Sequence, residues 1–187
     1  MRTFKNAVIV GRFQPMHIGH QKLINLGLSV ADRVLIFVSS SDKSGTIRNP
    51  FDSEYRISLV KRIYNKEIEE GKVIVKPLND LTNENDLTYK WGEYVVKSAE
   101  DALNEKLECI IYGKDKNIFK CFSKETVDNI SEIFVDRKQL LISATKVREY
   151  IINEDKENFF KYIDSSIHDE YENLRNILLD VKDKEEC

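Results

Sequence analysis

The sequence predicts an α/β fold: a doubly wound parallel sheet of five strands, with helices on both faces and a helical segment toward the C-terminal end. Three observations predict it. Five short apolar runs of strand length fall at 7–10, 34–38, 73–75, 109–112 and 133–135. Between them lie stretches whose apolar residues recur three and four apart, the spacing of one helix face. Polar or glycine-bearing loops follow the first, second and fourth runs. Strands that alternate with helices imply parallel pairing, and such sheets bind ligands outside the carboxyl ends of their strands.

The first run, Ala7-Val8-Ile9-Val10, leads straight into Gly11-Arg12-Phe13-Gln14-Pro15-Met16-His17-Ile18-Gly19-His20. Leu23, Ile24, Gly27, Leu28 and Ala31 then follow at helical spacing, so the order is strand, turn, helix. A helix start offers unpaired N–H groups and the positive end of its dipole, which makes this junction an anion site. If the helix begins near His17, that residue and His20 share a face and can address one anionic group. Gly11 and Gly19 let the backbone approach a phosphate closely.

The second strand, 34–38, opens into a long polar loop, Ser39 to Thr46, of the kind that is often functional. Ile47-Arg48-Asn49-Pro50-Phe51 closes the loop. Pro50 keeps Asn49 out of the helical region, so the next helix starts at Asp52 or Ser53 and presents Ile57, Val60, Ile63 and Tyr64 on one face. After the third strand, 79–88 reads as mostly loop. Trp91, Val95, Ala99, Ala102 and Leu103 mark a further helix, and the fourth strand stops at Gly113-Lys114-Asp115-Lys116. The fifth strand is joined through 136–139 to Leu140-Leu141-Ile142, and Ser143 is placed to cap a helix through Tyr150. Ile167, Tyr171, Leu174, Leu178 and Val181 make a last amphipathic helix, expected to fray after Asp180. That helix suits the interface of a homo-oligomer as readily as the core.

Net charge is −3 with 33 % charged and 41 % apolar residues, the balance of a soluble globular chain without a basic footprint for nucleic acid. Anionic ligands must therefore be met by local cations. No apolar run approaches the ~20 residues of a membrane helix, and 1–5 lead into a strand rather than a signal segment, so no membrane partner and a cytoplasmic location are expected. Cys109, Cys121 and Cys187 have no C-x-x-C spacing, and the histidine pair lacks an H-E-x-x-H context or a cysteine partner. No protein-ligated metal is expected.

The stretch Gly11 to His20 resembles the H-x-G-H signature of the nucleotidyltransferase superfamily, and its spelling G-R-F-Q-P is similar to nicotinamide-mononucleotide adenylyltransferases of the archaeal and Nudix-linked kind. Ile142-Ser143-Ala144-Thr145-Lys146-Val147-Arg148 resembles the second signature, I-S-x-T-x-x-R. Arg48-Asn49-Pro50-Phe51 with Arg56 is similar to R-x-N-P-F-x-x-x-E-R, with Tyr55 where glutamate usually stands. Gly113-Lys114-Asp115-Lys116 looks like a G-x-D-K segment used beside adenine and ribose. A Y-N-D-x-x-W element carries over only as Trp91.

The resemblance covers most of 5–152 of a chain read as one domain, 1–187, with 153–187 as a helical extension; it implies a Rossmann-like core. It implies transfer of AMP from ATP to nicotinamide mononucleotide, giving NAD and pyrophosphate. His17, His20, Arg12 and Arg148 would be catalytic. Gly11, Arg12, Phe13, His17, Gly19, His20, Gly113, Asp115, Ser143, Thr145 and Arg148 would meet ATP. Gln14, Arg48, Asn49, Arg56 and Trp91 would meet the mononucleotide, and Mg2+ would ride on the ATP phosphates. Two alternatives stay open: another phosphate acceptor such as phosphopantetheine or glycerol phosphate, and a nucleotide sensor without turnover.

Overall fold

The computed structural model describes residues 2–83, 88–114, 121–136, 139–140 and 142–185. Strands β1 (Phe4–Gly11), β2 (Ala31–Ser39), β3 (Val73–Leu78), β4 (Cys109–Lys114) and β5 (Ser131–Asp136) form one sheet in the order β3-β2-β1-β4-β5. Every neighbouring pair is parallel, and Ile9 lies opposite both Ile36 and Ile111 in register. The helices are α1 (Ile18–Val30), α2 (Ser53–Ile63), α3 (Asn65–Glu69), α4 (Tyr89–Leu103), α5 (Lys124–Val127), α6 (Ala144–Ile152), α7 (Lys156–Tyr162) and α8 (Tyr171–Glu185), with a 3-10 turn at Ser165–Glu170.

Side chains alternate across a strand, so each central strand feeds two cores. Ile9, Ile36, Val38 and Ile111 pack with Leu23 and Ile24 of α1 and Val60 of α2; Val8, Leu35, Phe37 and Ile110 pack with Val95, Ala99 and Leu103 of α4. Full burial of one such aliphatic side chain contributes about 1.5–3 kcal/mol. A third core joins Phe51 and Leu59 to Val147 and Ile151 of α6, Phe159 of α7, and Tyr171, Leu174 and Leu178 of α8. The amphipathic face of α8 is thus part of this chain's own interior. No described helix is long and apolar enough to cross a membrane.

The expected α/β sheet is present, with local corrections. Ala31 opens β2 instead of closing α1, because it pairs in the ladder opposite Phe4 and is fully buried there. β5 is a poorly covered edge strand, with Phe134 48 % exposed, so the two-faced cover stops short of it. α8 does not fray at Asp180: Val181 is buried and Lys184 pairs with Asp180 one turn back. Tyr55, the departure within the second-loop motif, donates its hydroxyl to Glu170 at 2.7 Å, beside Arg62, which meets both Asp169 and Glu170 at 2.6 Å. The position therefore ties α2 to the helical segment that follows α6.

Candidate active site at the carboxyl ends of β1 and β4

The turn after β1 is tightly specified. Phe13 adopts a left-handed backbone, φ 52°, that swings its ring back over Gly11. A Cβ on Gly11 would sit 2.9 Å from that ring, so any larger residue would have to push the buried Phe13 ring aside. His17 is the N-cap of α1: its backbone is extended, and its Nδ1 accepts the Gly19 N–H at 3.1 Å. With Nδ1 so engaged, the proton of the neutral ring sits on Nε2. At 5 % exposure the imidazole is desolvated, and burial, partly offset by a backbone hydrogen bond, pushes its pKa down to about 4. His17 is therefore an uncharged donor at neutral pH. His20 stacks on it with ring centroids 3.7 Å apart and 25° between planes, and Phe13 leans on His20 at 4.7 Å.

Ser143 caps α6, its hydroxyl accepting the Lys146 N–H at 3.2 Å, and Thr145 is exposed in the first turn. One turn on, Arg148 donates to the Gln14 carbonyl at 2.7 Å and lies 3.4 Å from the Thr145 hydroxyl. Burial first, and then the charge of Arg12, hold the Arg148 guanidinium below its usual range. Two guanidinium groups held this close in a half-buried setting favour an anion between them. The approach to α6 also crosses the first motif: a Cβ on Gly19 would lie 2.9 Å from the Leu140 carbonyl, and one on Gly113 would lie 3.0 Å from the Leu140 side chain. The helix starts of α1 and α6 and the end of β4 thus meet.

Beside this junction opens a cleft of about 740 Å³, lined by Asp42, Lys43, Ser44, Thr46, Ile47, Arg48, Asn49, Arg148 and Glu185. Arg48 is exposed, while Asn49 is buried with its N–H on the Thr46 hydroxyl at 3.0 Å. Arg148 belongs both to the cleft and to the histidine turn, so one residue connects the two.

A model of the cytidylyltransferase-like family matches residues 8–150, the segment that holds all of these motifs. The chain belongs to the cytidylyltransferase-like family. It is similar to proteins named nicotinamide-nucleotide adenylyltransferase from Thermoplasma acidophilum (32 % identical, covering 81 % of this chain and 77 % of that one) and from Thermococcus kodakarensis (37 % identical, 79 % and 73 %). Among solved structures it is similar to a bifunctional NMN adenylyltransferase/ADP ribose pyrophosphatase of Francisella tularensis. Complexed with AMP and a Mn ion, that structure matches at TM-score 0.62 and 25 % identity over 80 % of this chain; a second structure of the same bifunctional enzyme matches at 0.69 and 22 % over 96 %. The chain spans only 42 % and 52 % of those two bifunctional chains.

Within this cytidylyltransferase-like site, several residues sit differently from expectation. Gln14 is buried, and its amide is locked in a two-way bond with Phe51, donating to the carbonyl at 2.9 Å and accepting the N–H at 3.0 Å. It pins the Arg48 loop to the histidine turn instead of facing a substrate. Arg56 is fully buried and donates to the carbonyls of Arg12, Ser39, Ser40 and Asp52 at 2.7 to 3.1 Å. It has no surface to offer a mononucleotide; it braces the carboxyl ends of β1 and β2. Phe13 is likewise buried, so a nucleotide can meet only its main chain. Trp91 is half-buried at the start of α4 and packs on Phe122 at 6.1 Å, in the core that faces α4, and no described contact brings it to the histidine turn. Asp115 lies outside the described residues.

Sequence reasoning passed over Asp42, Lys43, Ser44, Thr46 and Glu185 as cleft residues. The length and polarity of the loop after β2 was the available signal for the first four. Nothing local marks Glu185.

Proposed function

We propose that this chain is a nicotinamide-nucleotide adenylyltransferase, moving AMP from ATP to nicotinamide mononucleotide to give NAD and pyrophosphate. The observation that carries the reading is the bond from Arg148 to the Gln14 carbonyl, which holds the Thr145 and Arg148 couple beside the turn of His17 and His20. Both groups then address one polyphosphate. The names of the archaeal relatives point to the same reaction.

The acceptor needs no general base. A phosphate monoester has its second pKa at about 6, so at neutral pH the mononucleotide phosphate is largely dianionic. One of its oxygens attacks the α-phosphorus of ATP, the bond from that phosphorus to the bridging oxygen breaks, and pyrophosphate leaves with the electron pair. Catalysis is then positioning and charge stabilisation. His17, neutral with its proton on Nε2, and His20 donate to the oxygens of the reacting phosphoryl group. Arg12, Arg148, Thr145 and the capped start of α6 hold the departing pyrophosphate, and Arg48 with Asn49 receives the acceptor in the cleft. Arg56 and Gln14 act through the backbone they brace.

A divalent cation belongs to this reaction as a passenger on ATP. Riding on the ATP phosphates, it would be held by phosphate oxygens and water. When bound it would neutralise phosphate charge.

The purified protein, given ATP and nicotinamide mononucleotide, should form NAD and pyrophosphate in equal amounts. Nicotinic acid mononucleotide, phosphopantetheine and glycerol phosphate are offered in parallel. NAD formation far below turnover with another acceptor, or thermal stabilisation by ATP without pyrophosphate release, rejects the reading.

A further inference from the structure

The family match ends at residue 150, yet the cleft is lined in part by an exposed residue far beyond it. Glu185, in the last turn of α8, accepts the Ile47 N–H at 2.8 Å and lines the cleft with Arg48, Asn49 and Arg148. The Ile47 side chain is 52 % exposed, so its packing does not anchor the loop. The other ties are local, Gly45 N–H to the Pro50 carbonyl at 3.4 Å, Thr46 N–H to the Asn49 carbonyl at 3.3 Å and Asn49 N–H to the Thr46 hydroxyl at 3.0 Å, or lie at the far end of the loop, where Gln14 holds Phe51. α8 in turn is rooted through Tyr171, Leu174 and Leu178 on Val147 and Ile151 of α6, the helix that carries Arg148. One packed unit therefore sets both sides of the cleft, Arg148 directly and Arg48 by way of the Glu185 contact to its chain neighbour.

We propose that Glu185 is a positioning residue for the acceptor: its carboxylate fixes the Ile47 amide and so sets Arg48 against Arg148 across the cleft. The inference rests on the adenylyltransferase reading and extends it to a segment outside the family match. ATP, held by the histidine turn and α6, does not depend on this contact. The acceptor phosphate does.

The test is steady-state kinetics on the full chain, unaltered and as Glu185→Ala and Glu185→Gln, with each substrate varied in turn. Glu185→Ala should raise KM for nicotinamide mononucleotide about tenfold, the scale of one lost charge-assisted hydrogen bond, with kcat and the KM for ATP within about twofold. Glu185→Gln keeps an oxygen for the Ile47 N–H and should restore most of the loss. An unchanged mononucleotide KM in the alanine variant overturns the proposal. So does an equal rise for both substrates, or a fall in KM, which would make the carboxylate a competitor of phosphate. If the unaltered protein forms no NAD, the adenylyltransferase reading itself fails, an outcome read before any variant is compared.

Discussion

Arg148 on α6 donates to the main-chain carbonyl of Gln14, 134 residues earlier, at 2.7 Å. That contact sets the spacing between the helix start that carries Thr145 and the turn that carries the two histidines. It occupies one of five N–H donors of the guanidinium, and a second lies at 3.4 Å from the Thr145 hydroxyl, on the side where an anion would be met. Arg12 nearby adds a second positive charge to the same spot.

Arg148→Lys keeps the charge and loses the planar fork, which cannot be replaced by a point charge at a multidentate site. We expect kcat/KM to fall by roughly 10²–10³, the cost of one preorganised donor at developing charge. Thermal midpoint should change little, because the residue is only half-buried. Kinetics paired with calorimetry checks both; activity within threefold of normal would remove Arg148 from the reaction.

His17 has two separable roles, helix cap and donor. Asparagine caps a helix well, so His17→Asn should fold with near-normal stability while turnover falls by on the order of a hundredfold, since the Nε2–H is gone. His20→Ala should lose turnover on a similar scale, on the order of a hundredfold, without touching a cap. Full activity in His17→Asn would mean the imidazole serves the helix alone.

The pH dependence follows from burial of the same ring. His17 moves from its ordinary 6.5 to about 4 in the folded chain, so as pH falls the unfolded chain takes up the proton first. Its contribution to stability is complete above about 6.5 and is lost progressively as pH falls toward 4, with a limiting slope of about 1.4 kcal/mol per pH unit. Urea titrations between pH 7.5 and 4 should show a shallower acid-side decline for His17→Asn than for the unaltered protein. Identical declines would contradict a buried neutral imidazole.

Arg56 supports the site from beneath. Burial lowers its pKa to about 10, the nearby charges of Asp52 and Asp80 oppose that shift, and it stays protonated at neutral pH. Arg56→Ala strands carbonyls of Arg12, Ser39 and Ser40, and with each unsatisfied buried acceptor costing about 1–3 kcal/mol the loss should reach several kcal/mol. For a chain of this size that corresponds to a drop in Tm of roughly 10 °C. Arg56→Lys cannot reach four carbonyls and should recover little of it. A variant with unaltered Tm would show that the carbonyls are satisfied by water.

Much of this protein is decided within a few residues along the chain. The five apolar runs, the Asp52 and Ser143 caps and the order of H-x-G-H before S-x-T-x-x-R could be read directly, because strand propensity, capping and helix periodicity act over one or two turns. Those same local rules placed His17 and His20 at a helix start and Thr145 and Arg148 on one face of another.

What the chain does with Gln14, Arg56 and Glu185 was set only in three dimensions. Each carries a polar group that would serve a ligand equally well, and the neighbour that claims it lies 37 residues away for Gln14, 16 to 44 for the Arg56 contacts with Arg12, Ser39 and Ser40, and 138 for Glu185. Gln14 and Arg56 are buried and must be satisfied by whatever the packed sheet and helices bring within reach, Glu185 meets Ile47 only because α8 folds back over the loop, and sequence spacing holds no record of either distance.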